Sequence, residues 1–260
     1  MEDLTGIFSL QGRCALVTGG GSGIGRQVAG ALAQFGAVVG VMDVDEGQAH
    51  DTVAEIGSMG LDAIPIPCDV TDAGQVAQAV AGFVRQVGRL DVLVANAGIG
   101  DRAEAVQMTE AQWDRVLEVN LKGVWLADQA AGRQMISAGM GGSIVNMASV
   151  TAVLGIQTGN ANYAAAKGGV AALTRTLAVE WAAHGVRVNA VAPAQVRTPL
   201  VERLLSERSE AEDYFLRRIP LGRLGVPSDV AGPVVFLCSA ASAWMTGHLL
   251  MVDGGNSIAF

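Results

Sequence analysis

A strand, a tight turn and a helix follow one another within residues 13–26, and this unit constrains the fold more than any other stretch. An apolar run at residues 14–17 leads into Thr18, and glycines then occupy positions 19, 20, 21, 23 and 25. The apolar run predicts a strand, and the glycines predict a turn into a helix. A helix that begins directly after such a turn presents backbone N–H groups and a partial positive charge, so it attracts a phosphate.

The spacing of these glycines is T-G-x-x-x-G-x-G and not the G-x-G-x-x-G of many dinucleotide-binding proteins, because Ile24 occupies the position of the last glycine. A glycine-rich stretch alone is also compatible with an ordinary turn between a strand and a helix. The candidate phosphate-binding residues are Gly19, Ser22, Gly23, Ile24 and Gly25.

Strand and helix patterns alternate along the rest of the chain. Further predicted strands end at Asp43, Pro67, Asn96, Ser149, Pro193 and near Gly255, and predicted helices span 23–35, 46–59, 71–87, 109–138, 160–184 and 227–240. No linker or repeat interrupts the alternation, so we predict a single-domain α/β protein over residues 1–260. Its core is a doubly wound, Rossmann-type, seven-stranded parallel sheet with helices on both faces. Residues 195–218, whose later part is rich in Glu and Arg, are expected to form a mobile cover over the substrate.

Composition and charge exclude several classes of protein. Half of the residues are hydrophobic, which allows a large core, and the net charge of −8 argues against binding to nucleic acid or an anionic membrane. The N-terminus lacks the features of a signal peptide, and no apolar run reaches the roughly 20 residues of a membrane span. Cys14, Cys68 and Cys238 are widely spaced, which predicts free thiols and no metal site. We therefore expect a cytoplasmic protein.

Asp43 follows the glycine loop by about 20 residues, where a carboxylate can accept hydrogen bonds from a ribose of an adenine dinucleotide. Its negative charge would repel a 2′-phosphate, and the next residue, Val44, offers no positive charge to hold one. Both residues favour NAD over NADP. Alternatively, Asp43 caps the helix predicted at 46–59.

Polar and small residues follow the next two strands. Asp69, beside Val70, can meet the adenine amino group, or it can cap the helix predicted at 71–87. Asn96, Ala97 and Gly98 are small enough to let a backbone pass close to a ligand. Because ligands bind at the carboxyl ends of the strands in such sheets, these residues are candidate binding residues.

Tyr163 and Lys167 lie four residues apart in a predicted helix and therefore share one face. An ammonium group beside a phenol favours the phenolate, which lowers the phenol pKa and makes Tyr163 a candidate general base. The alternative is that the two side chains only pack together. Ser149 stands at the end of a strand, and Asn120 lies inside the predicted 109–138 helix, where asparagine is a poor choice.

Taken together, these motifs resemble the short-chain dehydrogenase/reductase family over nearly the whole chain, including the Val252-Asp253-Gly254-Gly255 ending. The resemblance implies that Tyr163 exchanges the substrate proton and that Ser149 hydrogen-bonds the substrate oxygen. It also implies that Lys167 holds the nicotinamide ribose and lowers the pKa of Tyr163, and that Asn120 supports a water leading to Lys167.

The resemblance extends to the loop after the sixth strand, where Pro193, Val196 and Thr198 match positions that contact the nicotinamide. The family usually has glycine after the proline, whereas this chain has Ala194, which either keeps ordinary dihedral angles or is strained. Arg197 is either a solvated surface residue or a contact for an anionic substrate group. The helices that carry Asn120 and Tyr163 resemble subunit-packing surfaces, which implies a homotetramer.

The predicted function is NAD-dependent hydride transfer between nicotinamide and a secondary alcohol or ketone. Polar residues in the loops expected to line the site, Thr151, Gln157, Asn160 and Gln195, favour a polyol or a sugar-derived substrate. The alternatives are an NADPH-dependent reductase of 3-oxoacyl thioesters on acyl carrier protein and a non-catalytic dinucleotide-binding protein. The G-x-S-x-G motif of α/β-hydrolases is absent from the sequence.

Overall fold

The computed structural model describes residue 4 and residues 6–155, 159–207 and 210–259. Seven parallel strands form a sheet in the order β3-β2-β1-β4-β5-β6-β7, which confirms the predicted doubly wound architecture. The strands are β1 (Cys14–Thr18), β2 (Val38–Asp43), β3 (Ala63–Pro67), β4 (Val92–Ala95), β5 (Gly142–Met147), β6 (Val186–Pro193) and β7 (Leu249–Val252). The helices are α1 (Gly23–Gln34), α2 (Glu46–Ser58), α3 (Ala73–Val87), α4 (Glu110–Leu117), α5 (Gly123–Ala138), α6 (Ala161–Trp181), α7 (Pro199–Glu207), α8 (Ala211–Leu216) and α9 (Pro227–Cys238).

Two apolar layers cover the sheet, one on each face. In β1, Ala15 and Val17 belong to a layer that includes residues of α1, α2 and α9, whereas Cys14 and Leu16 belong to a layer with residues of α3, α5 and α6. This division follows from the two-residue period of a strand, whose successive side chains point to opposite faces. The cysteines at 14, 68 and 238 are buried free thiols, as predicted. No helix in the described part of the chain is both long and apolar enough to cross a membrane.

The helix predicted at 109–138 is divided by a π-helical turn at Glu118–Lys122, between α4 and α5. Asn120 lies in this turn and is fully buried. Its side-chain amide donates to the carbonyl of Ile99 (2.9 Å) and accepts from the N–H of the same residue (2.8 Å). The asparagine is therefore accommodated by an altered helix geometry and fastens the chain that follows β4.

Residues 195–218 form more regular structure than their sequence suggested. They include α7 and α8, whose Leu204 and Phe215 form a small separate apolar cluster with Ile219. Arg197 pairs with Glu202 (2.9 Å) and with Glu212 at the surface, which supports its interpretation as a solvated arginine. The sequence failed to predict these helices because each is short and its apolar residues are interspersed with charges.

Candidate active site

The turn between β1 and α1 passes so close to neighbouring backbone that side chains are excluded at two positions. Gly19 has a positive φ of 61°, and a Cβ there would lie 2.8 Å from Cα of Ala97. A Cβ on Gly25 would lie 2.0 Å from the carbonyl oxygen of Gly19. Ser22 precedes α1, and among the described residues no side chain caps the helix there. The turn thus leaves the first N–H groups of α1 available to an anion.

Thr18 and Asn96 tie this turn to the end of β4. The Thr18 hydroxyl accepts from the N–H groups of Asn96 and Ala97, each at 3.0 Å. The Asn96 amide donates to the carbonyls of Thr18 (3.1 Å) and Gly19 (3.0 Å). The sequence analysis did not include Thr18 among the site residues. Its position at the end of a predicted strand, next to the glycine turn, could have indicated it.

The Asp43 carboxylate accepts from the N–H of Gly21 at 2.9 Å and from the N–H of Asp45 at 3.0 Å. Asp45, and not Asp43, caps α2 by accepting from the N–H of Gln48 at 3.1 Å. The alternative of Asp43 as a helix cap is therefore wrong. Its neighbour Val44 is 73% exposed.

A similar arrangement follows β3. The Asp69 carboxylate accepts from the N–H (2.9 Å) and the hydroxyl (2.8 Å) of Thr71. Asp72, whose carboxylate accepts from the N–H groups of Gly74 and Gln75, caps α3. The alternative of Asp69 as the cap of this helix is therefore also wrong.

Two cavities meet at Tyr163 and Leu200. The larger has a volume of about 520 Å³ and the smaller a volume of about 400 Å³. The larger cavity contains most of the predicted binding residues: Gly19, Ser22, Gly23, Ile24, Asp43, Val44, Asp69, Val70, Asn96, Ala97, Gly98, Tyr163, Lys167 and Thr198. The smaller cavity is lined by Ser149 and by three of the predicted polar residues, Thr151, Asn160 and Gln195. Gln157 lies outside the described residues.

Four predicted site residues line neither cavity. Gly25 lies behind the glycine turn, and Asn120 binds Ile99. Pro193 is buried at the end of β6, and Val196 is buried and pairs with Gly225 in a short parallel bridge. The side chains of Pro193 and Val196 thus line neither of these two cavities, and their expected contact with a nicotinamide stays a prediction.

Ala194 causes no backbone strain. Within the described residues, only glycines have positive φ, so alanine keeps ordinary dihedral angles here. Its N–H donates to the carbonyl of Val252 at 3.3 Å, which holds the loop against β7. The sequence left open whether Ala194 keeps ordinary dihedral angles or is strained, and the structure shows ordinary dihedral angles.

Tyr163 and Lys167 lie on α6, and Ser149 follows β5. The buried Lys167 ammonium donates to the carbonyl of Met147 at 2.7 Å and lies 5.6 Å from the centroid of the Tyr163 ring. The Ser149 hydroxyl accepts from the N–H of Thr151 at 3.2 Å, which orients its side chain at the start of a short helical turn. The structure thus places all three predicted side chains around the junction of the two cavities.

The pKa of Tyr163 shifts in the direction opposite to the one predicted from the sequence. Burial raises the pKa of Tyr163, and a hydrogen bond with Ser149 and the charge of Arg102 lower it only in part. Burial also lowers the pKa of Lys167 to about 8. The predicted lowering of the Tyr163 pKa is therefore not found in this geometry, because desolvation outweighs the hydrogen bond with Ser149 and the charge of Arg102.

Asn162 connects the loop after β4 and α4 to α6, and it was not predicted as a site residue. Its fully buried amide donates to the carbonyls of Asp101 and Gln112, each at 3.0 Å, and accepts from the N–H of Tyr163 at 2.8 Å. The loop after β4 is thereby fastened to the residue next to Tyr163. The position of Asn162 in the first turn of a predicted helix indicated little about this role, since asparagine is common at the start of helices.

Comparison with known proteins identifies the family. The model of the family described as Enoyl-(Acyl carrier protein) reductase matches residues 19–257. The chain belongs to the short-chain dehydrogenase/reductase family. It is similar to the 2-dehydro-3-deoxy-D-gluconate 5-dehydrogenase of Dickeya dadantii, with 39% identity over 95% of this chain and 96% of the relative. It is also 42% identical to the 3-oxoacyl-acyl-carrier-protein reductase of Thermotoga maritima, over 95% of this chain and 98% of the relative.

Among solved structures, the chain is similar to a gluconate 5-dehydrogenase from Burkholderia cenocepacia in complex with NADP and tartrate. The TM-score is 0.93 and the identity 38%, and the match covers 98% of each chain. The curated relatives of the short-chain dehydrogenase/reductase family include oxidoreductases that act on CH–OH groups. The chain is therefore an oxidoreductase of this family, whose members use nicotinamide cofactors.

Proposed function

We propose that this short-chain dehydrogenase/reductase catalyses the NAD-dependent oxidation of a secondary alcohol in a polyol or a sugar-derived molecule. The observation that carries the proposal is the meeting of the two cavities at Tyr163, beside Ser149 and Lys167. The larger cavity fits a dinucleotide, since it combines a helix N-terminus for phosphate with carboxylates for hydroxyl groups. The smaller cavity then receives the alcohol.

In this proposal each side chain has one task. Ser149 hydrogen-bonds the alcohol oxygen, and Tyr163 removes the alcohol proton. Lys167 places a buried positive charge beside the phenol ring while its contact with Met147 fixes its position. A bound nicotinamide supplies the hydride acceptor. Because burial raises the pKa of Tyr163, the rate of alcohol oxidation is expected to rise with pH.

The charges along the larger cavity favour NAD. Among its described lining residues, the acids are Asp43, Asp45 and Asp69, and the only cation is Lys167 at the opposite end. A 2′-phosphate on the adenosine ribose would approach Asp43 with no arginine or lysine of this lining to balance its charge. The gluconate 5-dehydrogenase of Burkholderia cenocepacia was crystallised with NADP, so the two proteins are expected to differ in cofactor preference.

The polar lining of the smaller cavity and the sugar-acid relatives support a sugar-derived substrate. The Thermotoga maritima relative favours a second candidate, the reduction of a 3-oxoacyl thioester. The two functions are distinguished by the cofactor and by the substrate, because a reductase of this kind would consume NADPH with an acetoacetyl thioester.

The first experiment is to follow the absorbance of reduced nicotinamide in a panel of polyols, aldonates, hydroxy acids and 3-hydroxyacyl thioesters, with NAD and NADP in parallel. We expect turnover with NAD and a polyol or sugar derivative. Tyr163→Phe should lower kcat by at least roughly 10²-fold, since it removes the proton acceptor, while NAD binding is unchanged. Consumption of NADPH with an acetoacetyl thioester and no reaction with NAD would support the second candidate instead.

We also propose that residues 195–218 close over the substrate. Leu200, Val201 and Leu204 of α7 and Phe215 of α8 line the smaller cavity and so form part of its wall. Hydrogen exchange of α7 should slow when NAD and substrate are bound together. Exchange that is equal in the free and ternary states would contradict a closing segment.

The proposed assembly is a homotetramer. Leu117, Leu121, Trp125 and Leu173 line an open depression on α4, α5, α6 and the π turn, and Trp125 is 41% exposed. Such an apolar surface is typical of subunit contacts. Light scattering at micromolar concentration should give four times the chain mass of 26.7 kDa, and a monomer would contradict the proposal.

The proposed location is the cytoplasm. The three cysteines are free thiols, which suits a reducing compartment. Fractionation of the source cells should recover the protein with cytoplasmic markers, and recovery with another compartment would contradict the proposal.

A further inference from the structure

We propose that Thr52 is a positioning residue for the dinucleotide. From α2, its hydroxyl holds the glycine turn between β1 and α1 in the conformation that binds the two phosphates. This inference rests on the proposed function, because it places a dinucleotide in the larger cavity. It concerns a residue that lines neither of the two cavities.

Thr52 is a buried threonine in the middle of α2, with 1% of its surface exposed. Its hydroxyl oxygen lies 3.1 Å from the carbonyl oxygen of Gly20 and 3.3 Å from that of Gly21. It also lies 3.1 Å from the carbonyl oxygen of Gln48, one helical turn earlier. The single hydroxyl hydrogen is therefore shared among three acceptors.

The two glycine carbonyls depend on this donor more than the Gln48 carbonyl does. Gln48 lies in α2, where its carbonyl also accepts from a backbone N–H in the regular hydrogen bonding of the helix. Gly20 and Gly21 are buried in a turn, and in the described part of the chain no other donor reaches their carbonyls. A buried carbonyl without a partner is costly, so the Thr52 hydroxyl stabilises this conformation of the turn.

The peptide group between Gly20 and Gly21 is held at both ends. Its carbonyl faces Thr52, and its N–H donates to the Asp43 carboxylate at 2.9 Å. The next carbonyl, of Gly21, also faces Thr52, and the C=O and N–H of a trans peptide point in opposite directions. The N–H of Ser22 is thereby directed away from α2, and Ser22 lines the larger cavity. Thr52 and Asp43 together thus present the end of the turn to a phosphate.

Loss of the Thr52 hydroxyl should weaken dinucleotide binding. Without this donor the two glycine peptides rotate more freely, so a smaller fraction of the protein has the turn in its binding conformation, and the apparent Kd rises in inverse proportion. Thr52→Val removes the hydroxyl but keeps the shape of the side chain. It should raise the Kd for NAD, measured by calorimetry, by roughly 3- to 10-fold. Thr52→Ser keeps the hydroxyl and should restore a Kd within roughly twofold of the wild-type value.

Thr176→Val is the matched control. Thr176 is an exposed threonine of α6, and its hydroxyl donates to the carbonyl of Ala172, four residues earlier, at 3.3 Å. This variant makes the same chemical change in another helix and should leave the Kd unchanged. Thr52→Ala removes the hydroxyl with a smaller side chain and should raise the Kd as Thr52→Val does. The melting temperature of each variant without dinucleotide reports any general loss of stability separately from binding.

Measurements with both NAD and NADP separate this proposal from the proposed function. Both dinucleotides carry the same two bridging phosphates, so Thr52→Val should raise both Kd values by a similar factor. If the wild-type protein binds NADP and not NAD, the proposed cofactor is wrong, and the Kd for NADP still tests Thr52. A lower melting temperature with an unchanged Kd in both Thr52→Val and Thr52→Ala would overturn the positioning role. Binding of neither dinucleotide by the wild-type protein would overturn both proposals.

Discussion

Asp128 is a fully buried carboxyl group on α5, and its ionisation should make the stability of the protein depend strongly on pH. Its Oδ2 accepts from the amide of Asn146 at 3.0 Å, and the same amide donates to the hydroxyl of Thr174 at 3.1 Å. Among the described residues, neither Asp128 Oδ1 nor Asn146 Oδ1 has a hydrogen-bond partner. A proton on Asp128 removes the charge of this buried carboxyl group and gives it a hydrogen to donate.

Burial raises the pKa of Asp128 from 3.8 to about 8. The folded protein therefore holds a proton that the unfolded chain releases above pH 4, and stability falls as the pH rises between these two values. Each pH unit is worth about 1.4 kcal/mol while only the unfolded chain is ionised. Between pH 6 and pH 8 this group should cost about 2 kcal/mol of unfolding free energy.

The perturbation is Asp128→Asn, which keeps the shape and the acceptor but cannot ionise. The measured quantity is the melting temperature of the variant minus that of the wild type, at one protein concentration. This difference should be larger at pH 8 than at pH 6 by roughly 4–8 °C. Asp51→Asn, at an exposed position of α2, is the control and should show no such change. A constant difference between the Asp128 variant and the wild type at the two pH values would refute the reasoning.

Two further predictions concern the larger cavity. Asp43→Ala combined with Val44→Arg should raise the ratio of kcat/KM for NADP to that for NAD by at least roughly tenfold, because it replaces a repelling charge with an attracting one; an unchanged ratio would contradict the ribose assignment. Gly25→Ala should weaken cofactor binding measured by calorimetry, since a Cβ would lie 2.0 Å from a carbonyl oxygen of the loop. Gly30→Ala, in the same helix with nothing within 4 Å of the added Cβ, should bind the cofactor normally and gain up to about 1 kcal/mol in stability.

Local sequence patterns predicted the sheet, the residues at which its strands end, and most residues of the larger cavity. The strands β1, β2, β4, β5 and β6 are mostly buried, so each is a mainly apolar run that stands out in the sequence. Small or polar residues follow at the carboxyl ends of the strands. Gly19, Asp43 and Lys167 could thus be placed before their neighbours were known. The family resemblance supplied the roles of Ser149 and Asn120, which their sequence positions alone did not give.

Properties that depend on several elements could not be predicted in this way. The pKa of Tyr163 was expected to fall because Lys167 is four residues away, but the desolvation that raises it comes from the surrounding chain. The role of Asn162 depends on contacts across 50 or more residues, with the carbonyls of Asp101 and Gln112. Spacing along one helix contains no information about such contacts.

The π turn at Glu118–Lys122 contains one residue more than an α-helical turn would. Each residue advances an α-helix by about 100°, but the i→i+5 pairing of a π turn fits the additional residue into about one turn, so the helix that follows keeps its face. Removing one residue here would restore regular helix geometry and leave the buried face of α5, including Asp128, towards the sheet, but it would remove the turn that carries Asn120. A deletion at this turn should therefore break the contact of Asn120 with Ile99 rather than the packing of α5.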